Sequence, residues 1–158
     1  YSDVLRNEAR KRGIELTRKN LQDLGDLLRE EKGNGVLSLL LIEMMKKGKN
    51  YAVGNIRNPG EVEVLREKFG EEFSFILIKA SQKKRFERLT ERARENDPQN
   101  FEDFLKVESR DLGIGQEENG QQHGKVFEMA DFEIENELSL EDFYERIDSL
   151  IEDLDINI

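Results

Sequence analysis

Cysteine and tryptophan are absent from this chain, and proline occurs only twice in its 158 residues. Without cysteine there can be neither a disulfide framework nor a thiolate metal site. No cluster of other metal-ligating residues with a recognisable spacing appears either. Histidine is reduced to His123, in the polar segment GQQHGK, where a lone imidazole is ordinarily solvated. Long apolar runs are missing as well: LSLLLIEMM and FSFILIKA are far too short to span a membrane. No charged-then-apolar leader with a small-residue cleavage site opens the chain. Basic charge is in deficit, 25 Lys and Arg against 35 Asp and Glu, a net −10 that argues against sequence-independent nucleic-acid binding. The expectation is a cytoplasmic, soluble protein with no membrane and no nucleic acid among its partners.

Charged residues make up 38% and hydrophobic ones 36%, which implies a helix-rich fold with solvated faces. At this length one domain with a sizeable core is expected, over residues 1–158, and no internal repeat or linker divides it. Helical periodicity dominates. The opening YSDVLRNEARKRG predicts a helix capped by Ser2 or Asp3 and closed by Gly13. A leucine stripe at 21, 24, 27 and 28 predicts a helix capped by Thr17 and stopped by Gly33, and 36–45 a second apolar helix. Residues 51–57 then read as a strand and 60–69 as a helix. The FILI at the centre of 74–79 predicts a strand buried on both faces, as parallel sheets require. Ser81 opens a helix that Asp97-Pro98 ends, and another follows over about 100–111. Residues 117–124 are the best candidate for a mobile segment. Residues 130–135 alternate as a half-buried edge strand, and Ser139 caps a last helix. Alternating strands and helices predict an α/β fold: a three-layer parallel sheet of 51–57, 74–79 and 131–135, with helices on both faces.

The most informative stretch is YAVGNIRNPGEVE, where a short apolar run meets Arg57, then Asn58-Pro59-Gly60, then an amphipathic run. Ligands of open α/β sheets bind beyond the carboxyl ends of strands, so Arg57 stands where an anion would be held. Its planar fork pairs bidentately with phosphate or carboxylate.

YSDVLRNEARKRG, GDLLREEKGNG, NIRNPGEVEVLR, RFERLTERARENDP and GQQHGKVFEMADFEIEN together resemble the P-loop nucleoside-monophosphate-kinase-like proteins, near dephospho-CoA kinases and adenylate kinases. The resemblance runs in order across nearly the whole chain. It implies a P-loop kinase-like fold missing its first βα unit, with an acceptor region over about 1–58 and a lid over about 88–124. It also implies ATP and Mg²⁺ as cofactors and a small nucleotide or phosphorylated compound as acceptor. Arg6, ending an S-D-x-L-R pattern with Asp3, and Arg57 would grip the acceptor phosphate. Arg92, Arg94 and Arg110 would close over the transferring phosphoryl, with Asp97 and Asp111 orienting them. Asn136, beside Asp131 at the last strand, would contact the nucleotide. Each has a plainer reading: Arg88 and Arg92 alternate with Glu87 and Glu91 as a solvated ion-pair face, and Asn136 forms a turn.

Two departures matter. No G-x-x-x-x-G-K-[ST] occurs, so the cradle for nucleotide phosphates is missing from this sequence. Gly54 stands where the resembled family usually carries an aspartate. Loss of a central strand would leave unpaired edges, which an upstream segment, closure by neighbouring strands or a homo-oligomeric partner could complete. The expectations are therefore an incomplete phosphotransferase or a degenerate, non-catalytic nucleotide-binding or interaction module.

Overall fold

The computed structural model describes residues 1–93, 97–115 and 117–154, with Arg18 described by its backbone alone. In chain order the elements are α1 (Ser2–Lys11), α2 (Arg18–Lys32), α3 (Val36–Met44), α4 (Pro59–Phe69), β1 (Ile76–Lys79), α5 (Gln82–Arg92), α6 (Phe101–Asp111), α7 (His123–Phe127), β2 (Phe132–Glu135) and α8 (Leu140–Asp153). The fold is α/β: helices with a two-stranded parallel sheet. Contacts divide the chain into two compact units, Tyr1–Phe73 with Arg110–Met129, and Ser74–Ser109 with Ala130–Ile158.

The first unit is built on helix packing. Thr17 caps α2 by accepting from the Asn20 amide, and Gly33, at φ 92°, ends it in a conformation that favours glycine. Val4 and Ala9 of α1, Leu24 and Leu28 of α2, and Val36 and Leu37 of α3 form one buried cluster. The predicted cap of α1 is corrected: the helix begins one residue earlier, from Tyr1, without a side-chain cap. Ser2 and Asp3 therefore fall inside the first turn, and the Asp3 carboxylate accepts from Arg6 Nη1 at 3.3 Å. Where α3 and α4 begin, the backbones nearly touch. A Cβ on Gly35 would lie 2.8 Å from the Gly60 carbonyl oxygen, and one on Gly60 2.9 Å from the Gly35 nitrogen. Only glycine fits both places.

The strand expected at 51–57 does not form: these residues carry no ladder. A strand needs a neighbour to take its N–H and C=O groups. The main chain of Arg57 instead bonds to Glu61 and Gln122, described below. The expected mobile segment is corrected too. Gln121 and Gln122 are buried, and the short helix α7 follows them.

In the second unit, β1 and β2 run parallel in the register Ile76↔Phe132 to Lys79↔Glu135. Asp131 sets the start of the ladder, donating its amide to the Phe75 carbonyl (2.8 Å) and accepting from the Phe75 amide through Oδ2 (2.8 Å). β2 has the half-buried pattern expected, with Ile134 inside. β1 does not: Leu77 is buried but Ile78 is 52% exposed. The expectation of burial on both faces fails, because Ile78, on the face opposite Leu77, stays open to solvent. Ser81 caps α5, and Ser139 caps α8 in a reciprocal capping box with Asp142. Phe86 of α5 meets Phe101 and Phe104 of α6, with ring centroids 5.3 and 5.5 Å away.

Candidate functional site

Arg57 lies in the turn that leads into α4. Asn58 caps that helix, its side chain accepting from the Gly60 amide at 3.1 Å, and Pro59 occupies the first helical position. Two residues before Arg57, Asn55 takes a positive φ of 64°, which Asn tolerates better than most residues. The Arg57 amide donates to Glu61 Oε2 (2.9 Å), and the Arg57 carbonyl accepts from the Gln122 amide (2.8 Å). The Arg57 guanidinium donates Nη1 to Gln121 Oε1 at 2.9 Å. The backbone on either side of this arginine is thus fixed by groups that are themselves buried.

Glu61 is the hub. It is fully buried, and its Oε1 accepts from Nε (3.1 Å) and Nη2 (2.9 Å) of Arg29, which is 4% exposed. Arg29 also donates Nη1 to Asp26 Oδ1 (3.2 Å) and to the Asn119 carbonyl (3.4 Å). The Asn58 side chain donates to the carbonyls of Glu118 (2.8 Å) and Gly120 (3.1 Å). Residues 117–122 are therefore latched onto α2 and the start of α4 by five hydrogen bonds from Arg29, Asn58, Arg57 and Gln122.

Charge is concentrated around this latch. Asp26 is half-buried, and desolvation holds its carboxyl above the usual carboxylate range, opposed by Arg29, Arg110 and Arg57. Burial, then Arg57, push the His123 imidazole below its ordinary value; Asp111 opposes them and Arg29 adds to them. Arg57, Arg29 and Arg110 act together around Asp26.

The remaining sequence candidates divide between the units. Arg6 is exposed on α1 and paired with exposed Asp3. Arg110 and Asp111 end α6 in the first unit. Arg92 belongs to the second, where it holds Asp97 bidentately, Nε to Oδ2 at 2.8 Å and Nη2 to Oδ1 at 2.9 Å. Arg94 lies outside the described residues. Arg88 does not form the expected ion-pair face: it donates to the carbonyls of Asn136 (2.8 Å) and Leu138 (3.3 Å). Asn136 extends the ladder, its amide donating to the Lys79 carbonyl at 2.7 Å.

Sequence reasoning passed over Glu61, Arg29, Asn58 and Gln121. One signal was available. Asn58 and Glu61 have the spacing of a capping box, in which a glutamate at the third helical position reaches back to the backbone at the helix start. Here Glu61 reaches one residue further, to Arg57. Nothing local announces Arg29, 32 residues away, or Gln121, 64 residues away.

No family model matches the chain. It is similar to a UPF0200 protein of Thermococcus onnurineus, 34% identical over 155 residues that make up 95% of this chain and 80% of that protein. A UPF0200 protein of Hyperthermus butylicus is 38% identical over 89% of this chain and 72% of its own length. A UPF0200/UPF0201 protein of Archaeoglobus fulgidus is 35% identical over 99% of this chain, which spans only 47% of it.

Proposed function

The chain belongs to the UPF0200 family, and we propose that it supplies the acceptor-binding part of a nucleotide phosphotransferase, gripping the phosphate of a small nucleotide-like compound through Arg57 and Arg6. The observation that carries this reading is the immobilised backbone of Arg57, hydrogen-bonded at both N–H and C=O in a turn before a helix. Phosphoryl transfer depends on positioned cations more than on covalent catalysts, so a preorganised arginine is the part worth building. In this reading the sheet belongs to a three-layer P-loop kinase-like arrangement, with Arg110, Arg92 and Arg94 serving the lid and Asn136 the nucleotide.

The residues of this chain do not fit ATP and Mg²⁺. The glycine-rich cradle with its lysine is missing, Gly54 offers no carboxylate, and the described residues contain no group of three His, Asp or Glu able to hold a metal. No catalytic step is derived through either. Gly54 favours a second reading, a non-catalytic nucleotide-binding or interaction module.

Titration of AMP and dephospho-CoA tests the acceptor site. Arg57→Ala is expected to weaken binding at least about tenfold, the scale of one charge-assisted hydrogen bond. Equal affinity for the variant and the parent would sink the proposal. ATP turnover with the same acceptors is expected to stay at background for this chain, because each missing preorganised element typically costs ~10²–10³ in rate. Robust turnover would reveal a phosphate cradle that the sequence does not display.

A further inference from the structure

We infer that Glu61 is the positioning residue of the anion site, setting Arg57 through its main chain rather than touching ligand itself. The inference rests on the reading that Arg57 takes an acceptor phosphate. Glu61 spends its two carboxylate oxygens differently. Oε1 is occupied by the Arg29 fork, which fixes the rotamer, and this leaves Oε2 aimed at the Arg57 amide. Arg29 is in turn held by Asp26 and the Asn119 carbonyl. The main chain of Glu61 is pinned as well. Its carbonyl accepts from the Ser38 hydroxyl (2.7 Å), which accepts from the Tyr1 hydroxyl (2.6 Å). The fully buried Glu61 is therefore held at its carboxylate by Arg29 of α2 and at its main chain by Ser38 of α3.

Stability alone is a poor reason for this arrangement, because a buried ion pair is often no better than well-packed apolar residues of the same volume. Its distinctive consequence is geometric. Asn55 has already turned the chain into a left-handed conformation, and the segment carries no ladder to hold its direction. The carboxylate of Glu61 and the amide of Gln122 are the groups that fix the Arg57 backbone from either side. A guanidinium displaced by about 1 Å loses the alignment of both prongs of its fork on a phosphate.

The test is a double-mutant cycle on the full chain, with AMP as probe, far-UV circular dichroism and the thermal midpoint reporting folding. Glu61→Gln keeps the shape and removes the charge. It is expected to weaken AMP about tenfold, and to have no further effect in an Arg57→Ala background, since both changes act on one group. A purely structural glutamate would weaken binding equally with or without Arg57, and that additivity would overturn the inference. Unchanged affinity in Glu61→Gln, with loss in Arg57→Ala, would overturn it while leaving the acceptor reading intact. Unchanged affinity in Arg57→Ala would overturn the acceptor reading and this inference with it. Should Glu61→Gln fail to fold, amide hydrogen exchange on the parent protein decides. The Arg57 amide must be protected well beyond those of Ala52 and Gly54; exchange at their rate would refute the role given to Glu61.

Discussion

His123 stands at the start of α7, half-buried and stacked on Phe127 with ring centroids 5.7 Å apart. Burial, and then Arg57 and Arg29 against Asp111, favour its neutral form. The folded pKa thus lies below the ordinary 6.5, and the unfolded chain takes up the proton first. Stability from this group is complete above the ordinary value and is lost as pH falls through it toward the folded pKa. Urea unfolding at pH 7.5 and 5.5 is expected to show that loss in the parent and not in His123→Gln; an identical drop in both would assign it elsewhere. Arg29 is the costliest charge to remove. Arg29→Met would leave Glu61 buried without its partner, a change worth about 3–5 kcal/mol by denaturant titration. Arg92 contrasts with it: its ion pair with Asp97 is half-exposed on the arginine side, so Arg92→Ala should cost about 1 kcal/mol or less. Gly54 has open space where a side chain would go. Gly54→Asp is therefore expected to leave the thermal midpoint nearly unchanged, and a large fall would reveal a crowding that the backbone does not show.

Among the elements, the junction of α3 with α4 is the most exacting, because a methyl on Gly60 would meet the Gly35 nitrogen and the Asn34 carbonyl carbon, each at 2.9 Å. Backbone atoms cannot swing aside as a side-chain tip can. Gly60→Ala must spread the two helix starts, and an overpacking cost of about 1–3 kcal/mol follows. Because Gly60 is adjacent to Glu61, AMP binding should fall together with stability. A variant with normal stability would mean that the two backbones do not approach so closely. In the second unit, Ser139→Ala removes the capping box of α8 and should cost about 0.5–2 kcal/mol in a calorimetric scan.

At the scale of the whole molecule, the three-helix cluster around Leu28 is the main apolar core of the first unit, and Leu28→Ala should cost about 2–5 kcal/mol in urea. A much smaller loss would mean that this cluster is not the centre of stability. The sequence by itself determined most of the helices, α7 excepted, and many of their ends. Thr17, Asn58, Ser81 and Ser139 cap within three residues of themselves, and Gly33 stops α2, so the causes lie inside the local reach of the chain. It also set the two strands that pair, through the apolar run at 76–79 and the alternation at 132–135. Only the tertiary structure decided the rest. Residues 51–57 have the composition of a strand, but a ladder is made with a partner and none lies beside them among the described residues. The polar run around Gln121 looked mobile because its burial depends on Arg57 and Asn58, some 60 residues earlier in the chain. Arg57 was legible as a candidate from its turn chemistry, whereas the Glu61 and Arg29 pair that fixes it was not. Local sequence encodes caps and periodicity; a buried charge finds its counterion only after α2 and α4 have packed.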